Sequence, residues 1–254
     1  MAHPLSQEIL YLIIGHLQDE PSTLKACCLA FKALAQCARK QLFTRVKLDI
    51  SSLEVWKKIF PDSTNSPAHN TRTLSIQTSD LKDDIFLTFD NVIRLSVDTC
   101  PPSSVRFPAS LTRLHGISTA VESLRLVCYD LPVSEIFDFI CSFPLLEDLT
   151  LLSTIPLHRD KWTRPQISPR FTGSLELHVE VEGGIRSLID LLLELPNGLH
   201  FKRVVLWLLH PNDAWETKGL VSRCSDTLES LTIICPDSGV FCSIPTPNRN
   251  LTFN

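Results

Sequence analysis

The chain predicts an α/β protein in two parts. A short all-helical module occupies residues 1–42, and a parallel sheet built from repeated strand-and-crossover units occupies residues 43–254. Three observations lead there. Between Leu5 and Ala35, apolar residues recur at helical spacing. Beyond residue 42, a hexad of the form apolar-x-x-apolar-x-apolar returns eight times at near-constant intervals. Between hexads the apolar residues switch to helical spacing, so strand and helix alternate.

In the first part, Leu5, Ile9, Leu12, Ile13 and Leu17 form one wide apolar face, and Leu24, Cys28, Phe31 and Ala35 form another. Asp19, Glu20 and Pro21 break the chain between them, and Ser22 or Thr23 is placed to cap the second helix. Helices this short are marginal in isolation. Their faces need either the rest of the chain or another protein.

The hexads are Phe43–Leu48 (FTRVKL), Thr71–Ile76 (TRTLSI), Val92–Val97 (VIRLSV), Val121–Leu126 (VESLRL), Leu146–Leu151 (LEDLTL), Thr172–Leu177 (TGSLEL), Phe201–Leu206 (FKRVVL) and Leu228–Ile233 (LESLTI). Successive first residues lie 21 to 29 positions apart. That is the range of leucine-rich repeats, whose unit is one short strand plus a helix or looser turn. Leu111 and Leu114 lie too close to Val121 for a unit of their own and fall in the crossover before it. Ser51 and Glu54 make a capping box ahead of Val55, Trp56, Ile59 and Phe60. Val133, Ile136, Phe137 and Ile140 share a helical face, as do Ile185, Leu188, Ile189, Leu192 and Leu195. Leu220, Val221 and Cys224 repeat the theme. The 17 prolines gather mostly at joins, for example Pro101, Pro102, Pro132, Pro144, Pro156 and Pro211, where no ladder or helix bond is lost. The position where such repeats favour Asn or Cys holds Ser79, Cys100, Tyr129, Thr154, Glu180, Leu209 and Pro236, so the expected form is an irregular, leucine-rich-repeat-like solenoid. An ordinary α/β domain whose strands share Leu-x-Leu by composition is the alternative.

With hexad positions one, four and six inward, positions three, five and seven line an open face. The fifth reads Ser75, Ser96, Arg125, Thr150, Glu176, Val205 and Thr232, and the seventh reads Gln77, Asp98, Val127, Leu152, His178, Trp207 and Ile234. The face is polar early and partly apolar late. Trp and Arg dominate binding hot spots, so Arg125, Arg203 and Trp207 are the candidate target-binding residues. Against this, a loop or the C-terminal tail can cover Trp207. The chain ends just past the last unit, so its final strand-like residues 250–254 either cover the sheet's terminal edge or leave it for a partner.

The N-terminal pattern resembles an F-box. The family's opening Leu-Pro-x-Glu-[Ile/Leu]-Leu-x-x-Ile-x-x-x-Leu reads here as Leu5, Ser6, Glu8, Ile9, Leu10, Ile13 and Leu17. Leu24, Cys28, Leu29 and Lys32 are similar to its second part, and Leu42, Phe43 and Val46 to its closing Leu-Phe-x-x-Val. Ser6 departs from the family, where a proline starts the helix and packs on the partner. Residues 19–32, and the stretch from Phe137 to Leu151, resemble the large F-box families of mushroom-forming fungi. The resemblance implies docking on a Skp-type adaptor, and through it a cullin, by Leu5, Ile9, Leu10, Ile13, Leu17, Leu24 and Leu29. It implies a target protein held by the repeat region.

Composition narrows the rest. Net charge is −4 over 254 residues, which gives no basic field for nucleic acid. Nine cysteines are scattered without a C-x-x-C pair and without a secretion signal, which fits reduced, buried thiols and a cytoplasmic or nuclear protein. No run reaches the roughly 20 apolar residues of a membrane span. Phosphate-binding loops, nucleophile elbows and zinc-spaced His/Cys pairs are missing from the sequence. His178, Glu180 and Glu182 alternate on one strand face and could ligate a metal, but a strand with one wet face produces the same alternation. Cys27 and Cys28 fit helix packing better than nucleophilic chemistry, and His158 to Lys161 fit an exposed loop. The expectation is therefore a non-catalytic receptor without metal or cofactor. The competing expectation is a repeat scaffold whose F-box-like helices only cap the solenoid.

Overall fold

Each hexad becomes a strand, because apolar residues two apart project to one face of extended backbone. In the computed structural model the strands are β1 (Arg45–Asp49), β2 (Thr73–Gln77), β3 (Arg94–Asp98), β4 (Ser123–Cys128), β5 (Asp148–Ser153), β6 (Ser174–Val179), β7 (Arg203–Trp207) and β8 (Ser230–Cys235). The structure describes residues 6–30, 32–62, 65–77, 84–99, 111, 114, 116–128, 131–153, 168–179, 184–208, 217–235 and 240–245. The protein is α/β. Its strands lie side by side in sequence order, the first eight parallel, and a ninth strand, β9 (Val240–Pro245), pairs antiparallel with β8.

The register aligns the hexads position by position. Val46, Leu74, Leu95, Leu124, Leu149, Leu175, Val204 and Leu231 form one row across the sheet. All eight are buried, as are most of the sixth-position residues two places on. These rows join one continuous core with the helices of the crossovers, namely α4 (Ile50–Ile59), α5 (Val133–Cys141), α6 (Gly184–Leu193) and α7 (Lys218–Cys224). The face carrying positions three, five and seven contributes little to that core, so the helices cover one side of the sheet.

Backbone hydrogen bonds stitch unit to unit just before each strand. The carbonyl of position two accepts from two successive amides of the next unit at six of the seven seams, for example Arg72 and Thr73 on Thr44 O, at 2.9 and 3.0 Å. The seam from β5 to β6 differs. There Gly173 N alone donates to Glu147 O, and the Asp148 carboxylate accepts from Ser174 N and Oγ at 2.6 Å each. A Cβ on Gly173 would overlap that carboxylate, which accounts for glycine at this position. Hydroxyl groups add further stitches on the same side of the sheet: Thr71 Oγ1 donates to Phe43 O, Ser118 Oγ to Asp90 O and Thr227 Oγ1 to Phe201 O. The seven residues at the Asn/Cys turn position, Ser79 to Pro236, all lie outside the described residues.

Four details differ from the expectations. Thr172, expected inward at position one, is exposed, and Phe171 takes its place at 0 % exposure. Phe171 does so with φ of +47°, an uncommon value for an aromatic residue, and its ring lies 5.0 Å from that of Phe201. The cap of α4 is Asp49 rather than Ser51, with Asp49 Oδ1 accepting from Ser52 N and Ser52 Oγ accepting from Asp49 N, at 2.7 Å each. Val55 and Ile59 of α4 point outward, and its buried residues are Leu53 and Trp56. The terminal edge of the eight-strand array is covered by β9, and residues 250–254, the expected cover, lie outside the described residues.

The Asp49 cap has a pH consequence. The Ser52 amide, then the Ser51 and Ser52 hydroxyls, hold the carboxyl down at about 2, against an ordinary value of 3.8. A folded-state value below the unfolded one stabilises the fold above the unfolded pKa, and the contribution is lost as pH falls through the folded value. The stabilisation that this cap gives the start of α4 should therefore fall away progressively from about pH 4 to about pH 2 and be gone below that. An NMR titration of the Asp49 side-chain carbonyl checks this, and a midpoint near 4 would contradict it.

Candidate functional site

Two surfaces stand out. The first is the helical module, α1 (Gln7–His16), α2 (Pro21–Ala30) and α3 (Lys32–Leu42). Ser6 starts α1, its Oγ accepting from Ile9 N at 3.4 Å. A serine cap thus serves the start of the helix. The second helix begins with Pro21 at its first turn, where a missing amide hydrogen is no loss. Ser22 and Thr23 lie inside that turn instead of capping it, and Thr23 Oγ1 donates to Glu20 Oε2 at 2.8 Å. The expected single face from Leu24 to Ala35 is split over α2 and α3, which the Cys28 thiol bridges by a weak bond to Ala35 O at 3.8 Å. Phe31 lies outside the described residues.

The three helices close over a small core of Ile14, Leu24, Cys37 and Ala38, with Leu17, Cys27, Cys28, Leu34 and Leu42 packed against it. This core is distinct from that of the sheet. Ile14 and the cap residue Leu17 therefore turn inward and Leu10 is half-buried, whereas Ile9, Leu12 and Ile13 of the stripe singled out by the sequence face outward. Ile9, Leu12 and Ile13 are 44 %, 67 % and 47 % exposed, Tyr11 is 41 % exposed, and Leu29 of α2 reaches 89 %. Leu24 is 1 % exposed, so it supports the module from within and offers no contact surface. Leu5 lies outside the described residues. The module meets the sheet domain through Asp19, whose carboxylate pairs with Arg45 of β1 at 2.7 Å.

The second surface is the open face of the sheet. Arg125 (β4) and Arg203 (β7) are exposed, and Trp207 is half-buried at the far end of β7. Arg203 and Trp207 share a strand, about 13 Å apart along it, while Arg125 lies three strands away, about 14 Å. The structure thus does not gather the three into one spot. What it gathers instead is a cluster around Trp207. The indole stacks on His178 of β6 at 5.1 Å and 27°, and its Nε1 donates to Glu176 Oε1 at 3.3 Å. The sequence placed His178 and Glu176 on this face, but only the cross-strand register reveals that both pack on Trp207.

Burial pushes the Cys128 and Cys141 thiols up to about 12 and Cys224 to about 11, and burial also raises Cys28. Such thiols stay protonated at neutral pH. Among the described residues no three His, Cys, Asp or Glu side chains converge as for a metal ion, and Glu180, Glu182 and residues 158–161 lie outside them. No described helix is long and apolar enough to cross a membrane. No protein-family model, curated protein or solved structure matches the chain.

Proposed function

We propose that this chain is the substrate-recognition subunit of an SCF-type E3 ubiquitin ligase. It acts in the cytoplasm or nucleus, binding a Skp-type adaptor, and through it a cullin, with its N-terminal helices. The sheet domain, a leucine-rich-repeat-like solenoid, holds the target protein through the face that carries Arg125, Arg203 and Trp207. The observation that carries the reading is the apolar surface of the module. Ile9, Leu12, Ile13 and Leu29 stand in solvent on helices that already have a filled core of their own.

Magnitudes favour a docking role over chance exposure. Fully burying an exposed Leu or Ile contributes about 1.5–3 kcal/mol. Four partly exposed residues then supply roughly 4–8 kcal/mol, comparable with the lower part of the association penalty of about 4–15 kcal/mol. The stripe alone binds weakly, so Leu5, Leu10 and the family's closing segment would have to add contacts. A module retained only as a cap would turn its bulkiest apolar residues toward the first repeat. Here they point away from the module's core, and the described link to β1 is an exposed ion pair.

The receptor catalyses nothing itself. It raises the effective concentration of a target lysine near the ubiquitin-conjugating enzyme, which requires rigid faces and no tuned side chains. Co-expression with a Skp-type adaptor tests the reading. Adaptor and cullin should co-purify with the chain, and solubility should fall when the adaptor is omitted. If neither occurs, the helices only cap the sheet.

A further inference from the structure

We infer that the open face of the sheet takes an acidic segment of a partner protein, lying across the strands with its carboxylates over β1–β4 and a bulky apolar residue against Trp207. This deepens the receptor reading and rests on it. The chain as a whole carries net charge −4, yet this part of its surface has the opposite sign. Positions three and five of β1–β4 present Arg45, Lys47, Arg94 and Arg125, all exposed, and not one carboxylate. Between them stand only hydroxyl residues, Thr73, Ser75, Ser96 and Ser123. These add neutral donors suited to a carboxylate.

Three of the four cations are free to act, whereas the anions of the same face are engaged. Arg45 reaches Asp19. Among the described residues, the side chains of Lys47, Arg94 and Arg125 form no ion pair or hydrogen bond. By contrast, Asp49 is held in the α4 cap, Asp148 accepts from Ser174, and Glu176 accepts from Trp207. Asp98, at the end of β3, is also engaged. Exposed arginines without partners are the groups that bind carboxylates bidentately once water is excluded.

The apolar end follows in register. Position seven of β5–β8 reads Leu152, His178, Trp207 and Ile234, and the Trp207 ring is held flat by His178 and Glu176. Strands lie about 4.8 Å apart, so β1 to β4 spans about 14 Å and β4 to β7 about 14 Å more. An extended segment rises about 3.3 Å per residue. The fitting partner therefore has acidic residues spread over about four positions, then a large apolar residue about four positions further on. A polynucleotide fits less well, because the cations are few and lie beside an apolar wall on a protein of net negative charge.

The test uses the full chain and a fluorescein-labelled peptide of about four glutamates, about four Gly/Ser residues and a phenylalanine pair. Fluorescence anisotropy compares it with a lysine version, a version with serine for phenylalanine, and a single-stranded RNA. The glutamate–phenylalanine peptide should bind at least about tenfold tighter than the lysine version, with affinity falling as salt rises. Arg94→Glu with Arg125→Glu should abolish that preference, and Trp207→Ser should weaken binding about tenfold. Should the double reversal fail to fold, Arg125→Gln alone should lower affinity several-fold at an unchanged melting temperature. No saturable binding, equal affinity for both charges, or equal competition by RNA overturns the inference. Adaptor capture is measured on the same proteins. In the unaltered chain, no peptide preference with capture intact rejects this inference alone, whereas no capture with the preference intact rejects the receptor reading alone.

Discussion

Leu124→Asp is expected to leave the sheet domain unfolded at room temperature, and Leu124→Ala to cost about 2–5 kcal/mol. Leu124 sits at position four of β4, in register between Leu95 and Leu149, and is 1 % exposed. All three lie in one uninterrupted core. Truncation opens a cavity that a central strand, pinned on both edges, cannot close by collapse. Aspartate adds an unpaired buried charge, whose desolvation is worth several kcal/mol. Total stability of a domain is about 5–15 kcal/mol, so the charge alone exhausts most of it. Urea titration followed by circular dichroism gives the measurement, with Thr150→Ala as the control on the opposite face of β5. A loss below about 1 kcal/mol for Leu124→Ala would show that the inward row is loosely packed. Because neighbouring units hold one another, the loss should also spread beyond β4.

The strands were legible because their rule is local. Two apolar residues at positions four and six decide which way a short strand faces, and near-constant spacing decides which strand lies next to which. The same rule cannot find β9. Val240–Pro245 has no hexad and runs against its neighbour, so a search for a parallel repeat passes over it. Phe171 escaped for a related reason. The hexad puts Thr172 inward, and only a left-handed turn at residue 171 lets the aromatic ring take the core position instead. In α4, Ser51 with Glu54 satisfies the capping-box pattern in sequence, but the structure caps the helix with Asp49 and Ser52. The carboxylate two residues earlier takes the cap, which frees Ser51 Oγ to donate to it at 2.8 Å.

The candidate site shows a different limit. Helix α1 carries apolar residues at positions 9, 10, 12, 13, 14 and 17, so two stripes fit a helical period equally well. Packing against Leu24 and Ala38 selects Ile14 and Leu17 as the inward residues, and that selection depends on α3, which the sequence pattern does not separate from α2. On the open face, side-chain direction was legible from alternation. The stack of Trp207 on His178 was not, because it follows from the pairing of β6 with β7. The charge asymmetry of β1–β4 likewise appears only when the hexads are read across the sheet instead of along the chain.

Ile13→Asp combined with Leu29→Asp should abolish adaptor capture and leave the fold intact. The two residues are 47 % and 89 % exposed and belong to neither core, so stability should change by no more than about 0.5 kcal/mol. In an interface, an apolar anchor replaced by a charge typically loses about 2 kcal/mol or more, and two such losses lower affinity by about a thousandfold. Leu24→Ala gives the contrast. At 1 % exposure within the module's core, it should cost about 2–5 kcal/mol and lose capture only because the helices come apart. Pull-down of a Skp-type adaptor, read beside the melting temperature of each variant, separates the two cases. If the double aspartate variant captures adaptor as well as the unaltered chain, these helices are not its docking surface. If instead it melts early together with the sheet, Ile13 and Leu29 are holding the module on the first repeat, and the helices are a cap. A retained melting temperature with lost capture is the one pattern a cap cannot produce, because a cap's apolar residues stabilise the fold they cover.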